Sequence, residues 1–337
     1  MPALAVADAL RTSGARVVFI GGDRAEAELV PRAGFEFRRI KVEGLDRSNP
    51  LRALRALAKA VAATSAAWKM IGELRPAAVL GGGGYVAGPV GTAAVLRRVP
   101  LVLTEADSHF GLTNRLLAPF ARKVCLAFQL EGRSGERYIV TGRPIPPQAR
   151  DPLAARERFG LSDEDRVVVV VGGSLGARSV NEAALDAFAE DSLLKVIHAA
   201  GERDFASLEV RPRGSNYQLF SYMEAFPDAL LAADLVVSRA GGSVFEIAAA
   251  GRPAILVPYP HAAADHQAGN ARWMEQAGAA IVLTDDQLSG ERLASEVDRL
   301  LADPDRLAQM AQASASIARP DATAAVEAEL RAAGAGR

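Results

Sequence analysis

The chain has 337 residues, of which 50% are apolar, and its 39 Lys and Arg against 40 Asp and Glu give a formal net charge of −1. This length allows two domains of ordinary size, and the apolar fraction can fill two cores. A charge this close to zero argues against a dedicated nucleic-acid binder. No apolar run reaches the length of a membrane span and no secretory signal is visible, so we expect a cytosolic chain.

The first half of the chain reads as alternating strands and helices, which is typical of α/β architecture with parallel sheets. It opens on a predicted amphipathic helix, Pro2–Thr12. Because a parallel sheet of this type normally opens with a strand and a glycine loop, we expect about five strand residues and a loop of about 2–6 to be missing ahead of this helix. The predicted strands are Val17–Ile20, Phe35–Ile40, Ala78–Leu80, Leu101–Leu103 and Val124–Phe128, and the main predicted helices are Leu51–Leu74 and Pro89–Arg97.

The proline-rich segment Thr141–Pro152 has no periodicity, and we interpret it as an interdomain linker. The second half repeats the pattern, with predicted strands at Val167–Val171, Lys195–His198, Tyr217–Phe220, Leu235–Ser238, Ala254–Pro258 and Ala280–Leu283. The predicted fold is therefore two Rossmann-like, doubly wound domains facing a cleft. We place them at residues 1–145 and 146–318, with a C-terminal helix in residues 319–337 that packs back on the first domain.

Two glycine-rich turns each follow a predicted strand and precede a helix. In the second half, five valines lead into Gly172, Gly173 and Ser174, and a helix starts at about Ala177. Bare backbone N–H groups and the partial positive charge of a helix N-terminus favour a pyrophosphate. The spacing matches neither the dinucleotide fingerprint nor the Walker loop, which disfavours a nicotinamide dehydrogenase; a plain tight turn is the alternative interpretation.

The turn in the first half contains four consecutive glycines, Gly81–Gly84, followed by Tyr85. Four glycines lose so much backbone entropy on folding that a ligand approaching the backbone explains them better than an ordinary turn does. Ligands of open α/β sheets bind at the carboxyl ends of the strands, where both turns are expected. Two unrelated tight connections remain the alternative.

Several polar residues of the second half are candidates for sugar or phosphate contacts. Glu246 falls in the first turn of a short predicted helix, where it suits either ribose hydroxyls or simply the helix dipole, and Arg239 suits a phosphate. Gln267 and Asn270 are three residues apart at a helix start and therefore share a face, and amides suit hydroxyl-rich sugars. His261, Asp265 and His266 do not have the spacing of a helical metal site, so no metal is predicted.

Five motifs in this order resemble those of the MurG family of bacterial N-acetylglucosaminyltransferases: GGGGYVAGP, TEADSHFGLTNR, GGSLGAR, SRAGGSVFEIAAAGRP and DHQAGNA. The resemblance implies a GT-B fold and inverting transfer of GlcNAc from UDP-GlcNAc to the 4-hydroxyl of MurNAc in lipid I, which forms lipid II for peptidoglycan. It also implies a peripheral location at the cytoplasmic face of the plasma membrane and contact with other cell-wall synthesis proteins. No cofactor is required under this interpretation.

The resemblance also assigns residues. The donor-binding set is Gly173, Ser174, Arg239, Glu246, His266, Gln267 and Asn270. The acceptor-binding set is Gly82, Gly83, Gly84, Tyr85 and Asn114, with the segment Thr104–Asn114 lining the acceptor sugar pocket.

This chain departs from the family pattern at four points. The family opens with a strand and a GGTGGH loop whose histidine is a candidate acid/base group, and this chain starts just after that point. A start at an internal methionine and a true truncation are the two explanations; if that histidine is the base, the chain should bind UDP-GlcNAc and turn over poorly. Thr104 replaces a family histidine, Pro146 replaces a family arginine, and the spacing from Arg239 to Glu246 is one residue short. The catalytic candidates left in the sequence are Glu105, Asp107 and His109.

A membrane-contacting patch is predicted from apolar residues flanked by cations. It comprises Leu116, Leu117, Phe120 and Leu126 near Arg115, Arg122 and Lys123, extended by Trp68, Met70 and Ile71 with Lys69. An ordinary helix core is the alternative. The sole cysteine, Cys125, excludes intrachain disulfides, and its apolar surroundings indicate a buried, unreactive thiol.

Two other functions fit the same motifs. Another GT-B enzyme, such as a soluble sugar transferase or a UDP-GlcNAc 2-epimerase, would use the nucleotide sugar without a lipid acceptor. A non-catalytic UDP-GlcNAc-binding scaffold of the cell-wall machinery would bind the donor without turnover.

Overall fold

A computed structural model describes residues 2–42, 50–173, 176–262 and 265–335, with the backbone alone for residues 50–58. The chain divides into two compact units. One comprises Met1–Pro146 together with Pro320–Arg337, and the other comprises Pro147–Arg319.

The first unit contains two parallel sheets, with strand orders β1-β2 and β3-β4-β5-β6. Its strands are β1 (Val18–Gly21), β2 (Glu36–Arg39), β3 (Val79–Gly81), β4 (Leu101–Glu105), β5 (Lys123–Leu126) and β6 (Tyr138–Val140). Its helices are α1 (Pro2–Thr12), α2 (Glu26–Arg32), α3 (Pro50–Leu74), α4 (Gly84–Leu96), α5 (Leu112–Leu117) and, at the end of the chain, α14 (Ala322–Gly334), with a short 3-10 turn at Ala118–Phe120.

The C-terminal helix α14 returns to the first unit. Val326 and Ala333 of α14 are buried in one cluster with Val6 and Leu10 of α1 and with Cys125 of β5. Burial raises the pKa of the Cys125 thiol to about 12, so the thiol is protonated at neutral pH. The sequence interpretation of this cysteine as buried and unreactive is consistent with that position.

The second unit is built on one six-stranded parallel sheet with the order β12-β11-β10-β7-β8-β9. Its strands are β7 (Arg166–Val171), β8 (Leu194–Ala199), β9 (Tyr217–Phe220), β10 (Leu235–Ser238), β11 (Ala254–Leu256) and β12 (Ala280–Val282). Its helices are α6 (Pro152–Arg158), α7 (Arg178–Phe188), α8 (Glu202–Glu209), α9 (Phe226–Ala232), α10 (Ser243–Ala249), α11 (His266–Gln276), α12 (Gly290–Leu301) and α13 (Pro304–Ile317).

The five valines of β7 lie at the centre of this sheet, between β10 and β8, and none is more than 8% exposed. Strands β8 and β9 extend the sheet on one side of β7, and β10 to β12 extend it on the other. The order of the strands therefore reverses between β7 and β10. Open α/β sheets bind ligands outside the carboxyl ends of the strands at such a point.

Candidate functional site

The glycine turn after β7 lies at this reversal point. A Cβ atom at Gly172 would come 2.5 Å from the Ala177 nitrogen, and one at Gly176 (φ +80°) would collide with the Ala200 carbonyl oxygen, so both positions need glycine. Gly173, with φ +87°, faces open space on its Cβ side. Ser174 lies outside the described residues.

Helix α7 begins directly after this turn without a side-chain cap. Its N-cap residue, Ala177, is extended and supplies no side-chain hydrogen bond to the first turn. The first turn of a helix carries N–H groups with no intrahelical partner, and an anion can satisfy them. The start of α7 is therefore suited to an anion such as a phosphate.

A buried polar network lies behind the turn. The Asn181 side chain of α7 donates from Nδ2 to the Ala200 carbonyl (2.9 Å) and to Asp204 Oδ2 (3.1 Å), and its Oδ1 lies 3.0 Å from His198 Nε2. Because an amide oxygen only accepts, His198 donates from Nε2, and its Nδ1 accepts from the Tyr217 hydroxyl at 2.7 Å. The network therefore holds the Ala200 backbone, against which Gly176 packs.

No residue of this network was predicted from the sequence. Asn181 is the fourth residue of α7, and it is completely buried. Its burial could have been predicted because a polar residue at an apolar position of an amphipathic helix must form hydrogen bonds in the core.

Arg239 is buried at the carboxyl end of β10, with 8% of its surface exposed. Its Nη1 pairs with Asp285 Oδ1 at 2.6 Å and also lies within 3.3 Å of the Val257 and Pro258 carbonyl oxygens, while Nη2 donates to Ser179 Oγ at 2.7 Å. The guanidinium therefore connects the end of β10 with three other parts of the second unit: Val257–Pro258, Asp285 and Ser179 of α7. A direct phosphate contact for Arg239 stays a prediction.

The remaining donor candidates lie on α10 and α11. Glu246 is half-buried in the first turn of α10, as predicted from the sequence. Gln267 Oε1 accepts from the Tyr259 N–H at 2.9 Å, and the fully buried Asn270 donates from Nδ2 to the Ala240 carbonyl at 3.0 Å. In this structure both amides hold the backbone that follows β10 and β11, rather than projecting into open space. Half-buried His266 precedes them.

The glycine turn of the first unit follows β3 and leads directly into α4. Helix α4 starts at Gly84, five residues before the predicted start at Pro89, so the sequence-based boundary was wrong. Gly83 is the N-cap with φ 79° and ψ −169°, a conformation that is essentially limited to glycine, and this turn rather than the proline sets the start. Gly84 and Tyr85 therefore belong to the first turn of a helix, and Gly82 and Gly84 face open space.

Glu105, at the end of β4, is connected to this turn through Asn114. Glu105 Oε2 accepts from the Gly111 N–H at 2.8 Å and from Asn114 Nδ2 at 2.9 Å, and a Cβ at Gly83 would lie 3.6 Å from that same Nδ2. Both side chains are buried, and Asn114 Oδ1 has no hydrogen-bond partner among the described residues. The structure thus brings predicted acceptor residues and one catalytic candidate into a single cluster.

The other two catalytic candidates lie further along the loop. Asp107 is 43% exposed and lies 3.6 Å from Arg143 Nη1, and His109 is exposed. Arg143 also donates to the Ala106 carbonyl at 3.1 Å. Pro146 stands where the family has an arginine, whereas the structure places Arg143 of the same segment on this loop.

The predicted membrane patch is only partly exposed. Leu116 and Phe120 are each 64% exposed, but Leu117 and Leu126 are core residues at 6% and 0%, so those two assignments were wrong. They face the sheet because α5 is amphipathic and β5 is an interior strand. Ile71 is likewise buried in the core beneath α4. Trp68 is 43% exposed and carries the Arg97 guanidinium over its ring at 3.6 Å.

The described residues contain neither a membrane span nor a metal cluster. No helix within these ranges is both long and apolar enough to cross a membrane. Among the same residues, no three or more His, Cys, Asp or Glu side chains are grouped so that they could hold a metal ion.

Two α/β units with parallel sheets, each with a glycine turn leading into a helix, are typical of GT-B glycosyltransferases. Residues 1–126 match the glycosyltransferase family 28 N-terminal domain, and residues 167–326 match its C-terminal domain. The chain belongs to glycosyltransferase family 28 and, within it, to the MurG family. The predicted fold class and the family resemblance are therefore confirmed.

Individual relatives show how far this similarity extends. The chain is 42% identical, over 96% of its length and 93% of the relative, to the UDP-N-acetylglucosamine–N-acetylmuramyl-(pentapeptide) pyrophosphoryl-undecaprenol N-acetylglucosamine transferase of Moorella thermoacetica. The relative of the same name from Pseudomonas putida is 37% identical over 96% of this chain and 92% of its own length. The crystal structure of Acinetobacter baumannii MurG is 30% identical, with a TM-score of 0.77 over 98% of this chain and 95% of that chain. The calicheamicin glycosyltransferase CalG4, at 22% identity and a TM-score of 0.69 over 98% and 94% of the two chains, shares the fold.

Proposed function

We propose that this chain transfers GlcNAc from UDP-GlcNAc to the 4-hydroxyl of the MurNAc residue of lipid I, forming lipid II with inversion at the anomeric carbon. The observation that carries the proposal is the 42% identity to the Moorella enzyme over 96% of the chain, because the name of that relative specifies both the sugar and the pyrophosphoryl-undecaprenol acceptor. Similarity over nearly the whole chain extends to both units.

The donor is assigned to the second unit. The uncapped start of α7 and the open Gly173 backbone suit the UDP diphosphate, and their position at the strand-order reversal supports this assignment. Glu246, half-buried in the first turn of α10, would accept hydrogen bonds from the ribose hydroxyls. The amides of Gln267 and Asn270, with His266 beside them, would serve the GlcNAc hydroxyls either directly or by holding the backbone that they now contact.

The acceptor is assigned to the turn after β3. Gly82 and Gly84 leave open space for a ligand against the backbone, and the turn leads into the first turn of α4, which is a favourable position for the lipid I pyrophosphate. Tyr85 borders this turn. The Asn114 side chain lies beside the glycine turn and donates a hydrogen bond to the Glu105 carboxylate.

The chemistry is a single in-line displacement. The acceptor 4-oxygen attacks the anomeric carbon, the bond from that carbon to the UDP oxygen breaks, and a general base takes the proton of the hydroxyl. We assign the base role to Glu105, because it is the catalytic candidate connected to the glycine turn, through Asn114. Negative charge developing on UDP would be stabilised by the N–H groups at the start of α7, and the proposal includes no metal or other cofactor.

Peripheral binding to the cytoplasmic face of the membrane is part of the proposal. Leu116 and Phe120 are one helical turn apart, are both well exposed, and lie near the exposed Arg115 and Arg122. Apolar side chains among cations suit an anionic lipid surface. Sedimentation with phosphatidylglycerol vesicles should fall in a Leu116→Ser, Phe120→Ser variant. It should be unchanged in the control Leu193→Ser, which alters a 94% exposed leucine of the second unit.

Release of UDP from UDP-GlcNAc, measured with and without a short-chain lipid I analogue, tests the reaction. The proposal predicts release that depends on the analogue. Conversion of UDP-GlcNAc to a ManNAc-containing product without the analogue would identify an epimerase instead, and donor binding without any turnover would identify a scaffold.

A further inference from the structure

Two loops of the first unit meet beside the turn to which we assign the lipid pyrophosphate. One is the turn itself, residues 82–84 after β3, and the other is the loop of residues 22–25 between β1 and α2. An added Cβ at Gly22 would lie 3.0 Å from the hydroxyl oxygen of Tyr85, which directly follows the turn in the first turn of α4. The loop after β1 is therefore a direct neighbour of the proposed acceptor site.

Arg24 is the residue of this loop that lies against the start of α4. Its guanidinium carbon is 4.5 Å from the centre of the Tyr85 ring, and Arg24 is exposed. A cation over an aromatic face is attracted to the ring without using a hydrogen bond. The N–H donors of the guanidinium therefore remain available, in a planar fork that matches the oxygens of a phosphate.

Arg24 has no carboxylate partner within the part of the chain that the structure describes, whereas the acidic residues of the same loop region are engaged. Asp23 pairs with Arg39 at 3.1 Å, and Glu26 Oε1 accepts from the Gly22 N–H at 3.0 Å. Arg24 therefore lacks an ion-pair partner beside a helix N-terminus that has no acidic residue in its first turn. A cationic side chain and a helix N-terminus both favour an anion at this position.

A second, independent observation points to a ligand at the same turn. Asn114 is 1% exposed, and its Nδ2 lies 3.6 Å from the position of a Cβ at Gly83. Its Oδ1 has no hydrogen-bond partner among the described residues. A buried amide oxygen needs a donor, and an O–H or N–H group of an acceptor sugar supplies one. Because Oδ1 can only accept, it cannot bind the phosphate oxygens, and the anionic part of the acceptor is left to Arg24.

We propose that Arg24 binds the pyrophosphate of the lipid acceptor and that Tyr85 positions the Arg24 guanidinium over the start of α4. This role rests on the proposed function and adds to it a cationic side chain from outside the five sequence motifs. A lipid pyrophosphate is a dianion, so the guanidinium fork contacts some of its oxygens while the N–H groups of the first turn of α4 contact others. Arg24 thereby favours acceptors that carry a pyrophosphate over uncharged ones.

Steady-state kinetics with a short-chain lipid I analogue give the first test. In Arg24→Gln we expect the KM for the analogue to rise about 10–100-fold, as for the loss of a charge-assisted contact, with little change in kcat or in the KM for UDP-GlcNAc. Arg24→Lys should give an intermediate KM, because an ammonium group keeps the charge but loses the planar fork. Arg32→Gln is the matched control, because it removes the same charge from an exposed pair with Glu28 in the last turn of α2 and should leave the KM unchanged.

Two substitutions of Tyr85 test its positioning role. Tyr85→Phe keeps the aromatic face that attracts the guanidinium, whereas Tyr85→Leu removes it. We expect Tyr85→Leu to raise the KM for the analogue about threefold more than Tyr85→Phe does. Arg24→Gln should add less to the KM in the Tyr85→Leu background than in the parent, because the two residues act together. Equal effects of the two Tyr85 variants, or full additivity with Arg24→Gln, would overturn this role.

Calorimetry with geranyl pyrophosphate distinguishes the role of Arg24 from the proposed reaction, because it needs no turnover. The protein is first saturated with UDP, which fills the diphosphate site of the second unit, and geraniol is the uncharged probe. We expect Arg24→Gln to raise the Kd for geranyl pyrophosphate about tenfold or more and to leave the Kd for geraniol unchanged.

The possible results separate the two proposals. An equal loss for both probes, or an unchanged Kd and KM in Arg24→Gln when the parent transfers GlcNAc, would overturn the role of Arg24. Binding of geranyl pyrophosphate that depends on Arg24, in a parent that makes no lipid-linked product, would support the pyrophosphate site and contradict the proposed reaction.

Discussion

Arg239 and Asp285 form a 2.6 Å ion pair that joins the end of β10 to the segment after β12. Ser179 of α7 completes the contact, because its hydroxyl donates to Asp285 Oδ1 at 2.9 Å and accepts from Arg239 Nη2 at 2.7 Å. The pair therefore holds the start of α7, where we place the UDP diphosphate, against the two neighbouring segments. We propose that Arg239 acts on the donor through the position of this helix.

Replacing Arg239 should destabilise the second unit. Arg239→Ala leaves Asp285 without its cation, and we expect a loss of about 2–3 kcal/mol, less than for a fully buried pair because the Asp285 side chain is 29% exposed. Urea unfolding measures the loss. As a control, Arg178→Ala breaks an exposed pair with Glu182 and should cost under about 0.5 kcal/mol. Unchanged stability of Arg239→Ala together with weakened UDP binding would mean that Arg239 contacts the phosphate directly.

His198 should make the stability of the second unit depend on pH. Burial lowers the pKa of this ring to about 3, whereas the unfolded chain binds the proton at about pH 6.5. Between these values the unfolded state holds more protons than the folded state, so stability falls as the pH falls. We expect a loss of about 2 kcal/mol between pH 7 and pH 5 that is absent in His198→Gln. Urea unfolding at the two pH values measures it, with His109→Gln as the exposed control; equal slopes in all three chains would refute the burial argument.

Gly83→Ala should impair the acceptor site alone. The alanine side chain is strained at φ 79° and ψ −169°, at a cost of about 1–3 kcal/mol, and the turn must change shape. We expect a higher KM for a lipid I analogue and an unchanged Kd for UDP-GlcNAc. Gly135→Ala is the matched control, because Gly135 also has a positive φ (+90°), an added Cβ there meets no atom within 4 Å, and the residue lies outside the proposed site. Equal kinetic effects of the two variants would argue against a special role for the Gly83 conformation.

Glu105→Gln should abolish most turnover while preserving the fold. The amide oxygen of glutamine can still accept from Gly111 and Asn114, but it cannot take a proton. We expect kcat to fall by about 10²–10⁴-fold with donor affinity retained. Asp107→Asn and His109→Gln should each leave kcat within about tenfold of the parent. A larger loss in either of these two variants than in Glu105→Gln would transfer the base role to that residue.

Glu246→Ala should weaken donor binding. Loss of a charge-assisted contact to the ribose costs about 1.5–3 kcal/mol, which corresponds to a Kd for UDP-GlcNAc about 10–100-fold higher by calorimetry. Glu291→Ala is the control, because Glu291 also lies in the first turn of a helix, α12. If both variants bind the donor like the parent, Glu246 serves only the helix dipole.

Most strands and helices could be predicted from the sequence, because hydrophobic periodicity marks these elements and glycine-rich segments mark the turns between them. Tyr217–Phe220 and Leu235–Ser238 were predicted to the residue, and the other predicted strands deviate by one or two residues at their ends. The strand Tyr138–Val140 was missed because three residues beside a charged turn show no period. The predicted start of helix α4 was too late because proline favours the first turn of a helix and Pro89 was taken as the first residue, whereas the structure has Pro89 at the sixth position.

The parts of the candidate site that the sequence predicted best are the two glycine turns, where the backbone itself would contact a ligand. These turns could be identified because consecutive glycines cost conformational entropy, which favours an explanation by a strained backbone or a close ligand. The Arg239–Asp285 pair and the Asn181–His198 network were not identified, because each joins residues that are distant in the sequence. The burial of Leu117 and Leu126 depends on which helix face meets the sheet, and a short apolar run does not reveal this.

The most direct measurement is transfer of radiolabelled GlcNAc from UDP-GlcNAc to a short-chain lipid I analogue, carried out on the 337-residue chain. The account predicts a labelled lipid-linked disaccharide with a β-1,4 bond, identified by the proton coupling at the new anomeric centre. Labelled product with an α bond, or bound UDP-GlcNAc with no labelled lipid, would contradict it.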